Sequence, residues 1–212
     1  MEILTNKQRE KLDETNDNEF YSTPKFVYHL DLNFRNNLSA VYKQEIQNNS
    51  SVLDLMSSWD SYLPRDIKYK NVIGHGLNEE ELKKNQAFDS FWIQNFNISQ
   101  EIPLDNKSID CCLMVAAWQY LQYPENISEE ISRVLRDDGK FLVAFSNRAF
   151  WHKAPNIWAY SDEDQRVEYV RKVLISNGFK EPKIIQKHTS NNLKILPFFN
   201  YDPFYCLIAK KF

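Results

Sequence analysis

Apolar positions along this chain alternate between two spacings. Ser51–Met56 (Ser-Val-Leu-Asp-Leu-Met), Asn71–His75, Phe91–Phe96, Ile109–Ala116, Lys140–Phe145, Lys183–Lys187 and Phe204–Ala209 are short apolar runs between polar stretches, the pattern of buried strands. Ile109–Ala116 is the most apolar of them, as a central parallel strand should be. Between them the period changes. Leu38, Val41, Tyr42 and Ile46 share one face of a helix predicted over Phe34–Gln47. Ile127, Ile131, Val134 and Leu135 do the same behind Pro124, a residue suited to a first helical position. Val167, Val170 and Leu174 mark a third helix reaching Asn177, with Ser161 and Asp164 as its capping pair and Gly178 as its C-terminal cap. Asn78 stands where an N-cap belongs, and Glu79, Glu80 and Glu81 favour the positive end of the helix after it. Asp137-Asp138-Gly139 reads as a turn, and Ser57–Lys70 leaves room for a turn and a short helix.

Strands alternating with helices predict a three-layer α/β domain whose sheet is mostly parallel and covered on both faces. The last two strands have no helix between them, which predicts an antiparallel C-terminal hairpin. Residues 1–19 read as a polar segment that frays or forms a peripheral helix, and 20–212 as a single domain. The long connection His188–Pro203 carries Pro197-Phe198-Phe199; loops of that length are functional or packed onto something.

Composition narrows the functional classes. Among 212 residues the net charge is −3, so no basic excess draws the chain to nucleic acid or an anionic membrane. The longest apolar run, Cys111–Trp118, is too short to span a bilayer. Three cysteines, two of them adjacent, read as small apolar residues in a reducing compartment, and a cytoplasmic protein is expected. The four histidines are scattered and no Cys-x-x-Cys occurs, so no metal site is expected. Neither Gly-x-Gly-x-x-Gly nor a P-loop is present. Oligomeric state is not written in the sequence.

Several local sequences carry a family resemblance. Val52-Leu53-Asp54-Leu55, Val72-Ile73-Gly74-His75-Gly76-Leu77-Asn78, Ile102-Pro103-Leu104-Asp105-Asn106-Lys107-Ser108-Ile109-Asp110 and Glu129–Phe145, with Arg133-Val134-Leu135-Arg136 and Asp138-Gly139-Lys140, fall in the order of the strand and turn motifs of class I S-adenosylmethionine-dependent methyltransferases. The chain resembles that superfamily over nearly its whole length after Phe20. Leu55-Met56-Ser57-Ser58-Trp59, Gly74–Leu82 and Phe145-Ser146-Asn147-Arg148 look like a methyltransferase-like subgroup of plants and photosynthetic bacteria whose first turn also lacks glycine. The resemblance implies a Rossmann-like fold, S-adenosylmethionine as cofactor and a small-molecule acceptor, apolar or pigment-like.

It also implies site positions. Met56, Ser58 and Asp60 stand where the family's first turn has glycines. Either the turn is reshaped, with Ser57 and Ser58 hydroxyls replacing backbone hydrogen bonds, or it is closed and Trp59 helps plug it. Asp54 matches the family's acid in the first strand, to orient backbone or touch ligand. Gly76, followed by Leu77, occupies the place of the ribose-binding acid, whose loss Glu79 or Asp60 would have to offset. His75 reads as a satisfied strand-end histidine, with contact to a ligand as the alternative. Gln94-Asn95-Phe96 matches the adenine side, with Asn95 in the acid's place and Phe96 either stacking on adenine or filling core. Ala116 suits a small residue beside the cofactor. Trp118 and Tyr120 either floor an acceptor pocket or start a packed helix. Asn147, Arg148, Trp151 and Trp158 belong to an aromatic loop, Asn147–Tyr160, that is either acceptor site or core cap. His152 is the best placed base should the acceptor have to lose a proton. The rival reading is a non-catalytic binding or scaffold protein on the same fold, or one holding a different ligand in the same crevice.

Overall fold

The computed structural model describes residues 3–187 and 201–212. The expectation for His188–Pro203, including Pro197-Phe198-Phe199, therefore falls mostly outside the described residues. In chain order the elements are α1 (Asn6–Arg9), α2 (Asp17–Phe20), α3 (Leu32–Glu45), β1 (Ser51–Leu55), β2 (Asn71–Gly76), α4 (Glu79–Lys84), β3 (Ser90–Ile93), β4 (Ile109–Val115), α5 (Pro124–Val134), β5 (Leu135–Phe145), α6 (Asn156–Ala159), α7 (Glu163–Ser176), β6 (Lys183–Lys187) and β7 (Phe204–Lys210). The sheet order is β3-β2-β1-β4-β5-β7-β6. β3, β2, β1, β4 and β5 run parallel, and β7 is antiparallel to both β5 and β6. This is the predicted architecture, hairpin included.

Side-chain alternation along the strands divides the core in two. Val52, Cys111, Leu113, Leu142 and Cys206 face α3, which supplies Phe34, Leu38, Val41 and Tyr42. Leu53, Cys112, Met114, Phe141, Val143 and Leu207 face α5 and α7. The adjacent cysteines thus point into opposite layers, both fully enclosed.

Several boundaries differ from the sequence reading, each through local hydrogen bonding. α3 starts earlier than predicted because Asp31 caps it, its side chain accepting from the backbone N–H of Phe34. α7 is capped by Asp162 and Gln165 in a reciprocal box, not by Ser161 and Asp164. β5 begins at Leu135, so Asp137-Asp138-Gly139 lies within the strand, where Asp138 takes a φ of 60°. β3 ends at Ile93, leaving Gln94–Phe96 as the turn beyond it. The largest difference is between β1 and β2. Residues 57–70 hold no helix. Asp60 turns the chain through its side chain and the Tyr62 N–H, Tyr62 has φ 55°, and Pro64 follows. Tyr62, Leu63 and Tyr69 pack individually against the α3 layer.

The polar N-terminal stretch is built into the domain. Leu4 sits in the main core. Arg9 forms a two-point ion pair with Glu125 of α5, and Asp13, Thr15 and Asp17 surround the enclosed ammonium groups of Lys11 and Lys153. This brace leads into a strap, residues 21–30, which crosses the C-terminal edge of the sheet.

Candidate active site

β1 and β4 are neighbours whose onward connections run to opposite sides of the sheet. That reversal opens a crevice at their C-terminal ends. Two residues there take left-handed backbone conformations without being glycine: Met56 after β1, φ 52°, and Ala116 after β4, φ 50°. Such conformations cost on the order of 1–2 kcal/mol each and persist only where surroundings enforce them. At Met56 the enforcement is visible. Its N–H donates to His75 Nδ1 at 3.1 Å, and the Ser57 N–H donates to the His75 carbonyl at 2.7 Å. Because Nδ1 accepts, Nε2 carries the proton and donates to the Gln94 carbonyl at 2.9 Å. Burial lowers the His75 pKa to about 4, so the ring is neutral. It stacks on Phe96 with ring centres 3.9 Å apart.

The glycine missing from the first turn is needed on the neighbouring strand instead. A Cβ on Gly76 would stand 2.7 Å from the Ser57 carbonyl oxygen. The turn therefore leans over β2 at the position where the resemblance puts an acid, and only glycine leaves the space. Gly76→Ala is expected to displace the Ser57 turn at a cost of about 1–3 kcal/mol, read by urea denaturation. Unaltered stability would remove this account of the turn.

Asp54, 3% exposed, lines the crevice. Its carboxylate accepts from the Ser57 hydroxyl at 2.6 Å. Burial raises its pKa to about 6, opposed by the Ser57 and Ser61 hydroxyls and assisted by the charge of Asp60. Glu81 reaches the same crevice from the first turn of α4. It accepts the Ser58 hydroxyl and, at 2.6 Å, the backbone N–H of Lys25 in the strap. Asn78 caps α4 and also holds the strap through the Tyr21 carbonyl at 2.9 Å.

The cavity, open at one side, measures about 710 Å³, within the range of small-molecule sites. Of the positions singled out in the sequence, Asp54, Met56, Ser57, Ser58, Gly76, Leu77, Ala116, Tyr120, Asn147, Arg148 and Trp151 line it. The others lie elsewhere. Trp59 turns outward to pack at a tilt against Tyr28, ring centres 4.6 Å apart, with its Nε1 donating to the Val27 carbonyl. Gln94 folds back on the Ser99 and Glu101 carbonyls, Asn95 bonds Asn18 of α2, and Phe96 lies beneath His75. Trp118, 1% exposed, packs among Phe141 and Tyr169. Trp158, 1% exposed, packs edge-on against Phe145 at 4.9 Å. Of the open pairs of readings, Phe96, Trp118 and Trp158 thus fall to the core. His152 sits outside the cavity, edge-on to Phe20 at 5.6 Å.

Sequence reasoning missed Glu81, Lys25, His29 and the strap tyrosines. Glu81 had a signal, being the third residue of a capped helix with its neighbours already flagged. The strap had only an unexplained density of aromatics in Phe20–His29. Tyr21, Tyr120 and Phe150 form a wall, with ring centres 6.5 and 6.2 Å apart, and the Tyr120 hydroxyl accepts the Phe150 N–H at 3.1 Å.

A sheet of this order, with its cavity at the β1 and β4 ends, defines the class I methyltransferase fold. A family model described as a methyltransferase domain matches residues 59–143. No curated protein matches the chain by sequence. Among solved structures, the chain is similar to the protein held in complex with the Trm112 methyltransferase activator of Haloferax volcanii, with 16% identity, 84% and 90% of the two chains covered and a TM-score of 0.63. It is similar to an S-adenosylmethionine-dependent methyltransferase of Aquifex aeolicus, with 16% identity, 86% and 100% covered and a TM-score of 0.57. It is also similar to the [4+2]-cyclase SpnF, with 12% identity, 82% and 80% covered and a TM-score of 0.60. At such identities the likeness is one of fold. Among the described residues no helix is long and apolar enough to cross a membrane, and no group of three or more His, Cys, Asp or Glu is placed to hold a metal ion.

Proposed function

We propose that the protein is an S-adenosylmethionine-dependent methyltransferase acting on a small apolar acceptor, within the subgroup whose first turn lacks glycine. The observation that carries this is the cavity at the β1 and β4 ends, with hydroxyls and carboxylates from β1, its turn and α4 at one side and the Tyr120–Phe150 wall at another. The donor and acceptor set fits the methionine and ribose portion of the cofactor. Ser57 and Ser58 offer hydroxyls, and Glu81 offers the acid absent at Gly76 from one helical turn further along. When bound, the cofactor supplies an electrophilic methyl group. The chain's own work is then alignment of the two reactants and exclusion of water by the aromatic wall, which is a large part of what such a transfer requires.

A second reading rests on Gln94, Asn95 and Phe96. These adenine-side positions are engaged with the protein itself, Asn95 with Asn18 of α2. A ligand without adenine, held on the same fold without methyl transfer, would leave them undisturbed. Titration calorimetry separates the two. S-adenosylmethionine and S-adenosylhomocysteine are expected to bind with Kd below about 1 mM and to raise Tm. Absence of heat and of any Tm shift with both would defeat the methyltransferase reading and favour the second.

A further inference from the structure

The three histidines among the described residues have different fates. His75 is sealed and fully bonded, and His152 lies outside the cavity. His29 lines it. It sits at the exposed mouth, on the strap, with its ring edge-on to Phe150 at 5.8 Å and no side-chain hydrogen bond to any described residue. A second unfilled acceptor lines the same cavity. Gln119 is 1% exposed, and its Oε1 has no partner among the described residues. Among the described residues neither acceptor has a donor, and beside Tyr120 and Phe150 the pair suits an aromatic molecule carrying an X–H donor.

Resting on the methyltransferase reading, we propose that His29 is the general base of this cavity and that the acceptor is an aromatic hydroxyl compound whose proton His29 removes. The acceptor's O–H bond breaks and its proton passes to a ring nitrogen of His29. The electron pair left on oxygen forms the new O–C bond. The methyl carbon leaves the sulfonium sulfur of S-adenosylmethionine, the C–S electron pair staying on sulfur as a thioether. Three charged groups face the imidazole: Glu81 from α4, Lys25 from the strap and Arg148 from the loop after β5. Desolvation lowers the pKa of His29 and the two cations lower it further, against the opposing pull of Glu81, so the ring rests neutral and able to accept. Once it is protonated, Glu81 is the neighbour that favours the imidazolium. Gln119 is a positioning residue, fixing the acceptor's polar edge.

The test uses the full chain with labelled histidines and two probes, 2-naphthol and its methyl ether, which differ by the proton in question. Without cofactor, 2-naphthol is expected to bind and shift the His29 imidazole resonance, and the ether to bind and leave it in place. With cofactor, His29→Gln is expected to lower kcat for naphthol methylation about 10²–10⁴-fold, leave KM within threefold, and regain rate as rising pH ionises the naphthol. His29→Asn repeats the test with a different side chain, and near-ultraviolet circular dichroism checks that both variants are folded. A kcat change under threefold, an imidazole signal indifferent to naphthol, or failure of both probes to bind overturns the proposal. A His29 resonance that responds in a protein giving no heat with S-adenosylmethionine supports the His29 contact and overturns the methyl-transfer reading alone.

Discussion

Glu125→Ala should lower the unfolding free energy by about 3–5 kcal/mol, because it strands a buried cation. Glu125 is 3% exposed. One carboxylate oxygen accepts the backbone N–H groups of Ile3 and Leu4, both at 2.9 Å, and also Arg9 Nη2; the other accepts Arg9 Nη1 at 2.9 Å. The Arg9 Nη groups also donate to the Gln122 and Leu4 carbonyls. The pair therefore anchors the whole N-terminal brace to α5, and through the brace the strap that carries Lys25 and His29. Thermal denaturation should show a Tm lower by roughly 10 °C or more for a chain of this size. Arg9→Ala combined with Glu125→Ala should cost less than the two singles added, since no charge is left alone. A loss under about 1 kcal/mol for Glu125→Ala would mean that the brace is peripheral after all. The acid is also a pH probe. Burial opposes its ionisation, but the Arg9 and backbone bonds outweigh that and set its pKa below the ordinary glutamate value. A carboxyl depressed in the folded state stabilises above its unfolded pKa, and that share is lost as pH falls through the folded value.

Asp54→Asn should act in the opposite direction. Asp54 is raised from 3.8 to about 6 by burial without a cation beside it. Between those values the unfolded chain releases the proton first, so the folded state loses stability as pH climbs from about 4 to about 6. Above that the penalty is constant, at about 3 kcal/mol for a shift of about two units. Asparagine removes the penalty and gives up about 1 kcal/mol of hydroxyl bonding from Ser57 or Ser61. The variant is expected to be more stable than the parent by about 2 kcal/mol at pH 8 and no more stable at pH 4, measured by urea denaturation at both. Equal effects at the two pH values would show that Asp54 does not titrate in that window. An acid held at such a cost in a cavity wall is the kind of group a functional site retains.

The two variants also separate what is legible in the sequence from what is not. Asp54 can be picked out from its place in a strand and from the family resemblance. Its raised pKa cannot, because that depends on Ser57, Ser61 and Asp60 closing around it. Arg9 and Glu125 stand 116 positions apart, and nothing in a polar, mixed-charge N-terminus says which of its charges will be enclosed. For Trp118 and Trp158 the sequence leaves acceptor pocket and core both open, because aromatics near strand ends serve either. Their side-chain directions turn them into the α5–α7 layer.

The turn after β1 is the clearest division. By itself the sequence determined the layers, the parallel strands with their antiparallel hairpin, and the loss of glycine at Met56, Ser58 and Asp60. Those follow from apolar period, caps and composition, which are local. Only the tertiary structure decided what the loss means: a left-handed Met56 held by His75, a Ser57 carbonyl filling the space above Gly76, and Glu81 reaching the crevice from α4 to bond Ser58. Each depends on two or three segments meeting at the C-terminal ends of the strands. A one-dimensional pattern records which face a residue prefers, not which distant residue it will meet there.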